Sequence, residues 1–179
     1  MANQIKWAFD PTHSEITFKV KHLMITNVKG EFKKFEASLT SDDDKLTNAV
    51  AKASIDLSSI STNNDDRDGH LKSADFFDVD NNKTIQFEST SFERFDDENG
   101  QLKGKLTIKG ITKEVSFDLE FGGISKDPWG NEKAGFSLNG KINRTDFGLT
   151  WNAALETGGV LVSEDVKIAA EIQFVKQPV

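Results

Sequence analysis

Along most of this chain apolar and polar residues alternate one for one, the period of a strand that buries a single face. In "EITFKVKH" Ile16, Phe18 and Val20 share one side, and Glu15, Thr17, Lys19 and Lys21 share the other. The same alternation runs through "FEASL" (Phe35, Ala37, Leu39), "VAKASIDL" (Ala51 to Leu57), "TIQFEST" (Ile85, Phe87) and "LKGKLTIK" (Leu102, Leu106, Ile108). It returns in "EVSFDLEF" (Val115 to Phe121), "GFSLNGKI" (Phe136, Leu138, Ile142) and "VKIAAEIQF" (Val166 to Phe174). About eight strands, each with one wet face, define an antiparallel all-β protein. Lys33 and Lys34 break the phase between Phe32 and Phe35, as a bulge does.

Turn chemistry separates the strands. "DPWG" at 127–130 fits a type I turn, and "ENG" at 98–100 and "TGG" at 157–159 read as turns. "KGIT" at 109–112 is a tight reversal between two alternating runs. Helix is scarce: the candidates are a short segment near 69–77, within "RDGHLKSADFF", and a turn around "RTDFG". Neither a linker nor a repeat divides residues 1–179, so they form one domain. Eight such strands make a two-sheet sandwich or a barrel, and a barrel of that size is either filled by side chains or holds one small ligand. Gly104 and Gly140 fall on the inward face, where a missing side chain relieves curvature or leaves space. Both favour the barrel.

Composition then removes whole classes of function. The chain has no Cys, which excludes disulfides, thiolate metal sites and cysteine nucleophiles. A formal net charge of -7 argues against nucleic acid and against an anionic membrane surface. No window approaches the roughly 20 apolar residues of a membrane span, so membrane insertion is not expected. The start, "MANQIKWAFDPTHSE", carries no basic segment followed by an apolar run, and the expected location is cytoplasmic. Phe numbers 14 and Tyr is absent, which suits rings buried in a dry interior better than a wet binding surface.

The stretch "RDGHLKSADFFDVD" at 67–80 sets two adjacent Phe beside one of three His and several Asp. "NDDRDGHLKSAD" from Asn64 to Asp75 approximates a calcium loop, but Asn stands at the first position, Asp at the twelfth, and no helix precedes it. His13, His22 and His70 show no metal-ligand spacing, and the "DFG" at 146–148 lacks every other kinase element. No nucleophile elbow is present. The reading is therefore no catalytic residue, no metal, no cofactor and no enzyme.

The order of motifs resembles a known family. Trp7, Asp10, His13, Ser14, Ile16, Phe18, Val20, His22 and Leu23 match its opening pattern; Val28, Gly30 and Phe32 match the next. Arg67, Asp68, His70, Leu71, Ser73, Asp75, Phe76, Phe77 and Asp78 match a third. Gly104, Leu106, Thr107, Ile108, Gly110, Thr112 and Lys113 match a fourth, and Arg144, Asp146, Phe147 and Gly148 a fifth. Together these resemble the YceI-like family of bacterial polyisoprenoid- and lipid-binding proteins, from about residue 7 to 174. Lys83-Thr84 stands where relatives often have Tyr-Pro.

The resemblance implies an extended, lipocalin-like antiparallel β-barrel whose apolar tunnel holds an isoprenoid or fatty-acyl chain. The protein would then carry, store or sequester a lipid. The alternative is a structural or partner-binding barrel with a filled core. Phe76 and Phe77 are expected to turn inward at the mouth, with Arg67, Asp68 and Asp75 fixing their segment and Asp68 or Asp75 acting as a cap or local acceptor. The expected tail contacts are Phe18, Val20, His22, Phe76, Phe77, Phe87, Leu106, Phe117, Phe136, Leu138, Phe147 and Trp151. Trp151 and Phe147 could equally close the far end. A diphosphate would draw on Lys21, Lys29, Arg67 and Lys72; a neutral, amide or carboxyl headgroup on His22, Asn63 or Asn64. Monomer and homodimer both fit.

Overall fold

The computed structural model describes residues 4–23, 25–152 and 162–178. The strands are β1 (Ile5–Phe9), β2 (Glu15–His22), β3 (Thr26–Phe32), β4 (Phe35–Ser41), β5 (Val50–Asp56) and β6 (Ile60–Ser61), followed by the helix α1 (Asp65–Lys72). Then come β7 (Thr84–Arg94), β8 (Asn99–Ile108), β9 (Ile111–Lys126), β10 (Glu132–Asn143) and β11 (Val162–Lys176). All pairings are antiparallel, in the order β1-β4-β5-β7-β8-β9-β10-β11, and β11 returns to β1 to close an eight-stranded barrel.

The ring has eight positions because three of them are each shared by two strands. β11 pairs with β1 near its end and with β2 further back (Phe9↔Phe174, Glu15↔Glu171). β2 pairs onward to β3 and β3 to β6, extending the wall beyond β1, β4 and β5. The breaks have local causes. Asp10 accepts from the Thr12 amide to start the 3-10 turn at Pro11–His13, where Pro supplies no amide to a ladder. Lys33 and Lys34, expected as a bulge, instead connect two separate strands, β3 and β4. β1, β3 and β6 were not among the alternating runs because they are short or interrupted by Gly30.

The long strands set the depth of the barrel: β9 has 16 residues and β11 has 15, so at ~3.3 Å per residue each spans about 50 Å. One end is plugged. Trp7 and Leu46 are buried there with Leu39 and Phe174, and Trp7 Nε1 donates to Ser41 Oγ at 3.0 Å. At the other end lie the β2–β3 turn, α1, the Lys109–Gly110 turn and the 3-10 turn Arg144–Phe147. Lys109 and Gly110 both have positive φ, as a two-residue hairpin turn of type I′ demands.

Three further expectations need correction. The turn expected at 98–100 lies at 95–98, where the Phe95 amide reaches the Asn99 carbonyl, and Asn99–Gly100 already belong to β8. The helix expected near 69–77 is Asp65–Lys72 instead. Asn64 Oδ1 caps it by accepting from the Arg67 amide at 3.0 Å, and Ser73 leaves helical geometry with ψ 172. Asp68 and Asp75 are therefore not its cap. The turn at 157–159 lies outside the described residues.

Candidate functional site

The inward faces of the strands enclose an apolar cavity of about 380 Å³. It runs from Leu119, Phe136 and Phe174 near the plugged end to His22, Arg67, His70 and Trp151 at the helix end. Of the twelve expected tail contacts, eleven line it; Phe147 is buried in the adjoining core and does not reach the wall. Trp151 sits at the α1 end and not at the plugged end.

The interior is hollow because three Phe rings lie against the wall. A Cβ added to Gly30 would fall 2.2 Å from Phe18 Cζ, one on Gly104 2.5 Å from Phe87 Cζ, and one on Gly140 2.5 Å from Phe117 Cδ1. Each ring occupies the space that a side chain on the neighbouring strand would have taken. Three of the largest apolar side chains are thereby folded flat instead of crossing the lumen.

The mouth is built from the segment that follows β6. Asp68 Oδ1 accepts from the amide and hydroxyl of buried Thr62, at 2.8 and 2.6 Å. Arg67 grips the same residue, donating from Nε to Thr62 Oγ1 and from a terminal nitrogen to the Thr62 carbonyl, both at 2.7 Å. Asp75 Oδ2 and His70 Nε2 are 2.9 Å apart. These contacts hold a turn that delivers Phe76 and Phe77, both buried, to the cavity wall. Phe76, His70 and Trp151 form a ring cluster with centroids 4.7 to 5.3 Å apart, and Phe77 meets Phe32 edge-on at 6.4 Å. The aspartates are scaffold and the rings face the lumen, as expected. Asn64 Oδ1 is taken up by the helix cap and Asp68 Oδ1 by Thr62. Among the described residues no three His, Asp or Glu gather as a metal site.

Of the headgroup candidates, His22 and Arg67 reach the cavity wall, whereas Lys21, Lys29, Asn63, Asn64 and Lys72 do not. The sequence reading missed Arg144 and Thr62. Arg144 is only 4% exposed, lines the cavity, and donates to the carbonyls of Leu149, Trp151, Val162 and Ser163. Burial holds its guanidinium below the usual arginine range, and the field of Glu164 partly offsets this. A signal was present: Arg144 continues the inward parity of Leu138, Gly140 and Ile142, and Thr62 continues that of Ile60.

A closed antiparallel barrel around a deep apolar cavity, with one plugged end and one helix-lined mouth, defines the class as a hollow β-barrel. The chain belongs to the YceI-like domain family, whose pattern matches residues 7–174. It is 47% identical over 170 residues to a UPF0312 protein of Staphylococcus epidermidis, covering 94% of this chain and 96% of that one. The crystal structure of the Campylobacter jejuni YCEI protein is 35% identical, with a TM-score of 0.76 over 88% of this chain and 90% of that one. A polyisoprenoid binding domain from Saccharophagus degradans shares the fold at 15% identity, with a TM-score of 0.69 over 96% of this chain and 98% of that one. Among the described residues no helix is long and apolar enough to cross a membrane.

Proposed function

We propose that this protein binds a single long-chain lipid, a polyisoprenoid or a fatty-acyl derivative, inside the barrel, and acts as a carrier, store or sequestering protein. The observation that carries this is the cavity. It measures about 380 Å³ and extends from the plugged end to the mouth. Its lining is almost wholly aliphatic and aromatic. The family membership and the polyisoprenoid binding domain with the same fold support the reading.

The energetics are sufficient without a specific headgroup. Each methylene moved from water into such a cavity contributes ~0.8 kcal/mol, so a tail of roughly 16 carbons gains on the order of 12 kcal/mol. Ordering the tail and losing its translational freedom offset a large part. Micromolar to nanomolar affinity remains, with tolerance among tails of similar length. The chain itself performs no bond chemistry in this scheme: its residues exclude water and hold the tail.

Trp151 supplies the test. A fatty acid brominated along its tail is titrated into delipidated protein. Saturable quenching of tryptophan emission, reduced in Trp151→Phe, is expected at one equivalent. No saturable quenching would support a barrel with a closed, filled core instead.

A further inference from the structure

The protein carries 29 acidic and 22 Lys or Arg residues, yet no Asp or Glu lines the cavity among the described residues. Its ionisable wall residues are all basic: His22, Lys52, Arg67, His70 and Arg144. Lys52 is spoken for on the outside, 3.9 Å from Glu88. The other four gather at the mouth. Trp151 ties them together: its ring packs on His70 at 4.7 Å, and its carbonyl accepts from Arg144 at 2.9 Å. Arg67 lies one helical turn from His70 on α1, on the same face.

Among the described residues neither guanidinium has a carboxylate within ion-pair distance, whereas Lys52 and His70 do. His70 has Asp75 at 2.9 Å. Arg67 bonds Thr62, and Asp68 is reached only through that residue. Among the described residues the hydrogen bonds of Arg144 all go to neutral carbonyls, and Glu164 acts on it only through its field. Arg67 uses two of its five N–H donors on Thr62 and retains others. Arg144 is a buried cation surrounded by dipoles, which favours an anion that can approach it, whereas Arg67 is exposed and offers its remaining donors at the rim. An apolar tail would gain nothing from such an arrangement.

Resting on the lipid-binding reading, we infer that the cavity selects amphiphiles whose polar end is a carboxylate or a phosphate. Arg67 donates hydrogen bonds to that end and Arg144 supplies the local positive potential, while the tail runs inward past Phe76 and Phe77. This local arrangement opposes the sign of the protein's net charge, so the selectivity belongs to short range, where screening is weak.

The test is a headgroup series at constant tail. Hexadecanoic acid, hexadecyl phosphate, hexadecan-1-ol and hexadecylamine are titrated into delipidated protein below their critical micelle concentrations, for the wild type and for Arg67→Gln. The acid and the phosphate are expected to bind at least tenfold tighter than the alcohol, and the amine weakest. Arg67→Gln should reduce anion affinity severalfold and leave the alcohol within about twofold. Whichever anion leads identifies the source as acyl or phosphoryl. Equal binding of acid and alcohol, or an unchanged ratio in Arg67→Gln, would overturn the inference and leave tail binding intact. Binding of none of the four would instead remove the lipid-binding reading beneath it. Arg144→Gln is not used, since it would remove a donor from four backbone carbonyls and the fold would suffer.

Discussion

Phe18 and Gly30 face each other across β2 and β3, and the pair shows how a residue choice becomes a property of the cavity. With hydrogen at Gly30, the Phe18 ring settles on the wall; with any Cβ there, the ring must swing into the lumen. Gly30→Ala is therefore expected to lower stability by about 1–3 kcal/mol through overpacking and to weaken the binding of long tails at the same time. Urea unfolding and a tail titration check the two halves, and a stable variant with unchanged affinity would show that the ring has another place to go. Alternation alone put Phe18, Phe87 and Phe117 on the inner face. Whether they filled the lumen depended on which glycine stood opposite each, and that requires the register, which a single sequence does not state. Arg144 was hidden for a different reason. Its parity pointed inward, but a charged residue after a strand is ordinarily solvated, and the four carbonyls that accept from it belong to the turn after β10 (Leu149, Trp151) and to the start of β11 (Val162, Ser163), which pairs with β10.

At the scale of elements, the segment from β6 to β7 decides the mouth. The helix α1 fully buries none of its own residues and packs only through half-buried Leu71 and His70. What fixes its place is the Asn64 cap and the tie to Thr62 through Asp68 and Arg67. Thr62→Val removes the hydroxyl at the centre of that arrangement and leaves Asp68 and Arg67 short of a partner. A loss of about 1–3 kcal/mol is expected, with amide exchange accelerated over α1 and the Phe76–Phe77 turn and unchanged in β8 to β10. Uniform acceleration across the barrel would mean that α1 is no separate unit. The sequence made the two rings conspicuous and suggested a helical piece around them. It misplaced the piece because Asn64 was weighed as a metal ligand or headgroup contact, and the capping role of that side chain depends on the Arg67 amide lying above it.

For the molecule as a whole, the barrel is legible in the sequence wherever a strand is long and regular, from β7 to β11 and in β2, β4 and β5. Closure came from shorter pieces. β1 joins β4 to β11, and its four paired rungs with β4 carry too few alternations to stand out. The fold also carries a predictable acid sensitivity. Asp10, Asp43, Asp56 and Asp96 each hold a turn, and their carboxyls lie below the usual range because of hydrogen bonds, led by the Thr12 hydroxyl, the Thr47 amide, the Ser58 hydroxyl and the Asn99 amide respectively. A carboxylate depressed in the folded state contributes stability above its unfolded pKa and loses it as pH falls towards the folded value. The urea midpoint should therefore be flat from pH 7 to about 5 and fall below about pH 4, where unfolded aspartate begins to take up protons. Asp10→Asn should shrink that fall, and an undiminished slope in this variant would assign it elsewhere.

The central claim is that the lumen is occupied by one long lipid when the protein is taken from cells. Native mass spectrometry of the purified protein, followed by solvent extraction of the same sample, measures this directly. The account predicts a species heavier than the chain by the mass of a single long-chain lipid, which the solvent recovers and which rebinds at one equivalent. A spectrum with only the mass of the chain, together with failure of the emptied protein to take up any long-chain amphiphile, would contradict it.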